Sequence, residues 1–485
     1  MRRGLVLLGL GWLGTIAALA QPNWKACGRG TLNHLEVQTL FGDSVSNRLL
    51  AGGTFMYILN QSDTVLCVGQ AAWDGMRWDS LAHRIQPIGG GSAQQTFWFL
   101  RFQDELYSCG GYTFMTDQGT WNTSFARLNE ATQRWEALEC INPAMSGLNT
   151  LVQKTPGATS MYATGYSESL CGYPEACVYR YDGSAFHEWE PWGQIPPAPD
   201  NGDYVGYVFE FQGMTYMTGG FQNPIGPGIR YFMRFNGSEW EYVPGWGNAY
   251  HIRDVLIHDD VLYVCGTFKQ STGAPGNLVA AFDGQSWSDM GGGLAYLAEA
   301  GGATAMRMKW HHGHLYVGGV FDHAGGQALN GGLAIWDGSQ WSGLPGTFHT
   351  PHPLVPDLAR IRDMAFWRDS LYICGGFDQI DGQPINQVAQ YLGALPGGGT
   401  GIGASPQGGS ALSCSTIDGG TTWVADLPDA HPWRLDILNA LGQTVLTLPA
   451  VRLRTTFSLP RAGPAVYFVH ATRERDRRSA KILVR

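Results

Sequence analysis

One short apolar motif returns along this chain at intervals of about fifty residues, and that recurrence limits the fold more than any other feature. Its clearest copies are Leu262-Tyr263-Val264-Cys265-Gly266-Thr267-Phe268, Leu315-Tyr316-Val317-Gly318-Gly319-Val320-Phe321 and Leu371-Tyr372-Ile373-Cys374-Gly375-Gly376-Phe377. Weaker copies end at Phe55, Tyr112, Tyr166 and Phe221, so the closing aromatics lie 57, 54, 55, 47, 53 and 56 residues apart. That period suits a four-stranded unit and is too long for most helical repeats. Composition agrees. Gly is 67 of 485 residues, aromatics reach 12% and charged residues only 15%, a profile of many short strands joined by tight turns.

Each copy runs on into an aromatic-Asp-Gly-x-x-Trp segment: Trp73-Asp74-Gly75 to Trp78, Phe282-Asp283-Gly284 to Trp287, and Trp336-Asp337-Gly338 to Trp341. Tyr181-Asp182-Gly183 to Phe186 and Phe235-Asn236-Gly237 to Trp240 are degenerate versions. Asp-Gly or Asn-Gly between apolar runs predicts a hairpin with positive φ at both central residues. A further strand precedes each Leu-Tyr strand, as in Met306-Arg307-Met308-Lys309-Trp310. Four strands per copy, seven times over, predict an all-β chain whose body is a seven-bladed β-propeller spanning 21–394. The last copy reaches Val388-Ala389-Gln390-Tyr391 without an Asp-Gly-x-x-Trp segment. Trp24-Lys25-Ala26-Cys27-Gly28 is similar to the exit strand Trp287-Ser288-Asp289-Met290-Gly291, so residues 24–28 are expected to supply the missing outer strand and close the ring.

The pairing of Leu-Tyr-x-x-Gly-x-Phe with aromatic-Asp-Gly-x-x-Trp resembles the kelch-type, galactose-oxidase-like propeller repeats of exported bacterial proteins, over about 370 residues. The resemblance implies a fold and leaves activity open. Copper oxidases of that type would imply a cross-linked Tyr-Cys pair and histidine ligands, and no matching local motif occurs.

The two ends of the chain read differently. Arg2 and Arg3, an apolar run from Gly4 to Leu19 and the Ala18-Leu19-Ala20 site predict a signal peptide over 1–20. No later stretch is long and apolar enough to predict a transmembrane segment. Glycines and prolines from Pro396 to Gly409 mark a linker over 395–420, and a small Ig-like β-sandwich is expected over 421–485. Asn439-Ala440-Leu441-Gly442-Gln443, the stretch from Leu459 to Val469, and Lys481-Ile482-Leu483-Val484 resemble the C-terminal sorting domain of the type IX secretion system of Bacteroidota. Leu427-Pro428-Asp429-Ala430 departs from that family's Pro-Asn-Pro opening. The resemblance implies type IX secretion machinery as a partner and a secreted or cell-surface location. Residues 421–485 carry ten Lys or Arg against five Asp or Glu, which leaves −14 of the net −9 on the rest.

The acidic balance argues against nucleic acid as a partner. Nine cysteines are present; Cys171 and Cys177 bracket Gly172 to Ala176 and form the disulfide candidate, with the bland alternative of two free thiols left open. Cys109, Cys265 and Cys374 recur at one position of the Leu-Tyr strand and read as reduced core residues. His311, His312 and His314 read as a solvated turn and the repeat aspartates as turn formers. Asp322 and Asp378 read as loop-shaping residues, and Thr416-x-Asp418-x-Gly420-x-Thr422-Trp423 as an Asp-box hairpin with a structural role. No nucleophile elbow, zinc-ligand spacing or phosphate-cradling loop is found, so no catalytic residue, cofactor or metal is assigned. Two function classes follow: a non-catalytic propeller binding extracellular glycan or protein, or a polysaccharide-acting hydrolase or oxidase with its site at the propeller mouth. The loops Gly193 to Asn201 and Thr347 to Pro356 are candidate contact regions.

Overall fold

The computed structural model describes residues 23–32, 36–81, 95–116, 119–138, 148–153, 160–168, 176–189, 204–222, 229–247, 251–297, 302–350, 360–396, 413–416, 422–427, 432–439, 444–452, 454–459, 465–473 and 476–484. Nearly all of their regular structure is antiparallel strand, and apart from the short 3₁₀ turn Gln270–Thr272 no long helix occurs among them. The chain divides into two compact units, Met1–Gly398 and Gly399–Arg485.

The repeat dictates the first unit. Each copy folds into four antiparallel strands in chain order, as in Thr304–His311, His314–Val320, Leu333–Trp336 and Trp341–Ser342. Equivalent sheets are built from residues 37–80, 95–137, 148–188, 204–242 and 252–288; the third and fourth of these touch edge to edge through the Tyr166–Tyr204 pair. The Leu-Tyr strand lies second in each sheet, and Leu315 to Gly319 are all buried, because both faces of the sheet are covered by neighbours.

The last copy supplies Arg360–Trp367, Ser370–Gly376 and Val388–Tyr391. Its fourth strand is Trp24–Ala26, paired antiparallel with Trp24 opposite Tyr391 and Ala26 opposite Ala389. The first strands of successive sheets pack on one another: 37–43 on 95–102, then 148–153, 204–211, 252–258, 304–311 and 360–367, which returns to 37–43.

The Asp-Gly hairpins form as expected, with one correction to their geometry. Only the glycine has positive φ: +110° at Gly75, +96° at Gly284 and +101° at Gly338, while the residue after it does not. The aspartate stands before the turn, and its Oδ1 accepts the next two free amides; Asp337 Oδ1 takes Ser339 N and Gln340 N, both at 2.8 Å. This side-chain turn explains why Asn236 can replace Asp, and it holds the exposed Asp337 carboxyl below its ordinary range, to about 2.

Four of the exit-strand tryptophans have a second task. Trp287 Nε1 donates to Pro244 O (2.8 Å), Trp341 to Met290 O (2.6 Å), Trp24 to Pro345 O (2.7 Å) and Trp78 to Cys27 O (2.7 Å). In every case the acceptor lies three or four residues beyond the exit-strand Trp of the preceding sheet, and Trp24 takes its turn in that series between Trp341 and Trp78.

Among the described residues, three small sheets join neighbouring copies a second time. They comprise Gly30–Thr31 with Tyr57–Leu59 and Thr64–Leu66, Leu294–Ala295 with His323–Ala324 and Gln327–Ala328, and Phe348–His349 with Gln379–Ile380 and Gln383–Pro384. In each, one strand continues from the exit strand of one copy, and the other two form a hairpin inserted between the second and third strands of the next.

The second unit holds a three-stranded sheet, Ser413–Thr416, Thr422–Asp426 and Arg454–Ser458, and a four-stranded one, Thr444–Val451, Trp433–Asn439, Ala465–Arg473 and Asp476–Val484. Alternate residues of both, among them Trp423, Ala425, Trp433, Leu435, Ile437, Phe457, Tyr467, Val469 and Ala471, form one core. Ser413–Thr416 falls inside the expected linker, because the hairpin suggested by the Asp-box pattern needs it as the partner of Thr422–Asp426. Residues 1–20, Cys171, the loop 193–201, residues 351–356 and most of the 395–420 linker lie outside the described residues, as does the proposed Cys171–Cys177 pairing.

Candidate ligand-binding site

The inner strands concentrate the polar chemistry of the first unit at one register position. Register shifts interrupt them, as at the β-bulges between Val37 and Thr39, Val205 and Tyr207, Ile252 and Asp254, Ala305 and Arg307, and Ile361 and Asp363. A bulge re-aims the side chain that follows it. The residues so placed are Thr39, Tyr207, Asp254, Arg307 and Asp363, with Trp98 beside the equivalent shift in its strand. All but Thr39 stand 14 residues before the closing aromatic of their copy. Opposite them on the second strand stand small residues: Gly52, Cys109, Thr218, Cys265, Gly318 and Cys374. The recurring cysteines are therefore buried thiols that leave room for a large partner, and burial keeps Cys265 and Cys374 neutral.

The two aspartates tie adjacent sheets. Asp363 Oδ2 accepts from Thr39 Oγ1 (2.8 Å) and Leu40 N (3.0 Å), while Oδ1 accepts from Met364 N (2.8 Å). Asp254 repeats the device, with Oδ2 on Met308 N (2.7 Å) and Oδ1 on Val255 N (3.0 Å). Burial pushes the Asp254 carboxyl up, against the pull of Arg307 and Lys309.

Arg307 lies between these carboxylates in chain order. Burial opposes its charge, but the neighbouring carboxylates Asp363 and Asp254 favour it and keep it protonated. Its Nη1 donates to Arg253 O (3.1 Å) and Met306 O (3.0 Å), and its Nε is buried without a hydrogen-bond partner. The guanidinium lies 4.7 Å from the centroid of Trp98, and Lys309 Nζ lies 5.8 Å from the same ring. Trp98 belongs to the 95–137 sheet, which does not adjoin the 304–342 sheet, so these side chains meet across the interior. Nearby, Arg362 and Arg360 share Glu36, at 2.7 and 3.3 Å.

The histidines take other places. His311 does not sit in a solvated turn: its ring stacks on Phe366 (3.8 Å, 11°), and its Nε2 is buried without a partner. Burial, then the neighbouring His312, lower its pKa to about 4. The unfolded value is near 6.5, so this group leaves stability intact above about pH 6.5 and withdraws it as pH falls toward 4. His311→Gln is expected to flatten the loss of melting temperature between pH 7 and pH 4; parallel pH profiles for the two proteins would refute the assignment. His349 Nδ1 lies 2.7 Å from Asp378 Oδ1 and His323 Nδ1 2.7 Å from Asp322 Oδ1, and Asp322 also accepts Leu297 N, so both aspartates shape loops. Among the described residues, no three His, Cys, Asp or Glu side chains converge as metal ligands.

Sequence reasoning passed over Asp254, Arg307, Asp363 and Trp98. The signal was present as Arg253-Asp254 and Arg362-Asp363 at the same offset from the closing aromatic, but it emerges only when the first strands are aligned rather than the second.

No protein-family model matches the chain, and no curated protein matches it. Among solved structures the chain is similar to PorZ, described as an essential bacterial surface component of the type IX secretion system of Porphyromonas gingivalis, at 10% identity and TM-score 0.39, over 90% of this chain and 69% of that one. The extracellular domain of the two-component system BT3049 from B. thetaiotaomicron aligns at 10% identity and TM-score 0.41, over 96% of this chain and 58% of that one. The GH74 enzyme of Niastella koreensis aligns at 12% identity and TM-score 0.34, over 94% and 74%.

Proposed function

We propose that the first unit is a seven-bladed propeller closed by Trp24–Ala26, which binds an extracellular glycan or protein without turning it over. The commitment of the inner carboxylates carries this reading. A glycosidase needs two carboxyl groups free to exchange a proton and attack at the sugar. Asp254 and Asp363 instead spend both oxygens on hydrogen bonds, mostly from backbone amides: Oδ2 accepts from the adjacent sheet and Oδ1 from the next residue of its own strand. The second unit is proposed to be an Ig-like sorting domain for type IX secretion, on the strength of Asn439 to Gln443 and Lys481 to Val484, with the product secreted or kept at the cell surface. Screening the purified protein against a glycan library, with product analysis on every hit, is expected to find binding without new products. Turnover of any hit would overturn the reading in favour of the hydrolase or oxidase alternative.

A further inference from the structure

The interior of the first unit carries unspent cationic donors in an otherwise acidic body. The strands Ile252–His258, Thr304–His311 and Arg360–Trp367 bear Arg253, Arg307, Lys309, Arg360 and Arg362 against the carboxylates Asp254 and Asp363. Residues 1–420 as a whole carry −14. Arg360 and Arg362 are satisfied by Glu36. The other three are not matched in this way. Arg307 has a buried Nε with nothing to donate to, Lys309 lies over Trp98 and acts on Asp254 only through space, and Arg253 is exposed with its carbonyl taken by Arg307. A buried donor left unmade is costly, and an aromatic ring orients a cation without consuming its N–H groups.

We propose that Arg307 and Lys309, which lie over Trp98, together with the exposed Arg253 whose carbonyl takes the Arg307 guanidinium, form a subsite for the anionic group, carboxylate or sulfate, of an acidic sugar. An oxyanion would accept the charge-assisted donors that protein groups leave open, and the indole offers an apolar surface to the C–H face of the sugar ring. This names the ligand class of the binding reading and rests on it.

Titration calorimetry of the full chain with oligogalacturonate, a sulfated galactan oligosaccharide, a neutral oligogalactan and inorganic sulfate tests the assignment. One or both acidic oligosaccharides are expected to bind, more weakly as salt rises, and the neutral one at least tenfold more weakly. The uronate and sulfate arms identify which anion is preferred. Because Arg307 is half-buried and its guanidinium ties down Arg253 O of the neighbouring sheet, so that its replacement endangers folding, the variants are Lys309→Gln and Arg253→Gln, each expected to weaken acidic-sugar binding about tenfold with an unchanged melt. Three results would overturn the subsite: equal binding of neutral and acidic sugars, unchanged affinity in both variants, or binding of inorganic sulfate with no gain from an attached sugar. Absence of acidic-sugar binding alongside a neutral or protein hit would remove this inference and leave the binding function standing. Turnover would remove the latter instead.

Discussion

Asp363→Ala is expected to destabilise the first unit by about 3–5 kcal/mol, the range found when one member of a buried charged network is removed. The carboxylate is 1% exposed and takes hydrogen bonds from Thr39 Oγ1, Leu40 N and Met364 N, and it also helps hold the Arg307 charge. Its loss strands the three hydrogen-bond donors in an environment that water does not readily reach, and two of them, Thr39 and Leu40, lie on the neighbouring 37–80 sheet. Asp363→Asn keeps one acceptor oxygen and is expected to lose less. Denaturant unfolding followed by tryptophan fluorescence measures both; a loss under about 1 kcal/mol for the alanine variant would show that the carboxylate does not hold the sheets together.

Trp24→Ala is expected to cost about as much, roughly 3–5 kcal/mol, the usual range for truncating a buried tryptophan. Trp24 is 3% exposed, packs on Phe348 and Tyr391 at centroid distances of 5.5 and 4.9 Å, and donates to Pro345 O. Trp24→Phe keeps most of the packing and loses the indole bond, a difference of about 1 kcal/mol. The pair of variants separates burial from hydrogen bonding. Equal stability of Trp24→Ala and the parent protein, measured in the same denaturant series, would count against a closing role for this strand.

What the sequence disclosed, and what it hid, follow from the range of the interactions. The Leu-Tyr strands and Asp-Gly hairpins are local: a buried central strand must be apolar throughout, and an Asx turn needs its aspartate and glycine side by side. Both were therefore readable one copy at a time. Trp24 was readable because it repeats a pattern present at Trp287, although its strand partners lie more than 360 residues away. The polar layer at the bulges was not. Asp254 finds its amide acceptor-seekers on the next strand in the ring, Arg307 meets Trp98 across the interior, and neither relation has a fixed spacing along the chain. His311 misled for a similar reason: it ends its inner strand, as His258 and Trp367 end theirs, and the ring it stacks on, Phe366, belongs to the following copy. Ser413–Thr416 was masked by the glycines around it.

The small three-stranded sheets have a bearing on how such a body would yield. They fasten the junctions on either side of the last copy and the one before it, the sector where the two ends of the first unit meet. A loop of chain is ordinarily weakest at its seam, since no peptide bond crosses it. Here the seam carries rivets as well as a zipper, so parting Trp24–Ala26 from Val388–Tyr391 would have to draw Gly30–Thr31 away from Tyr57–Leu59 as well.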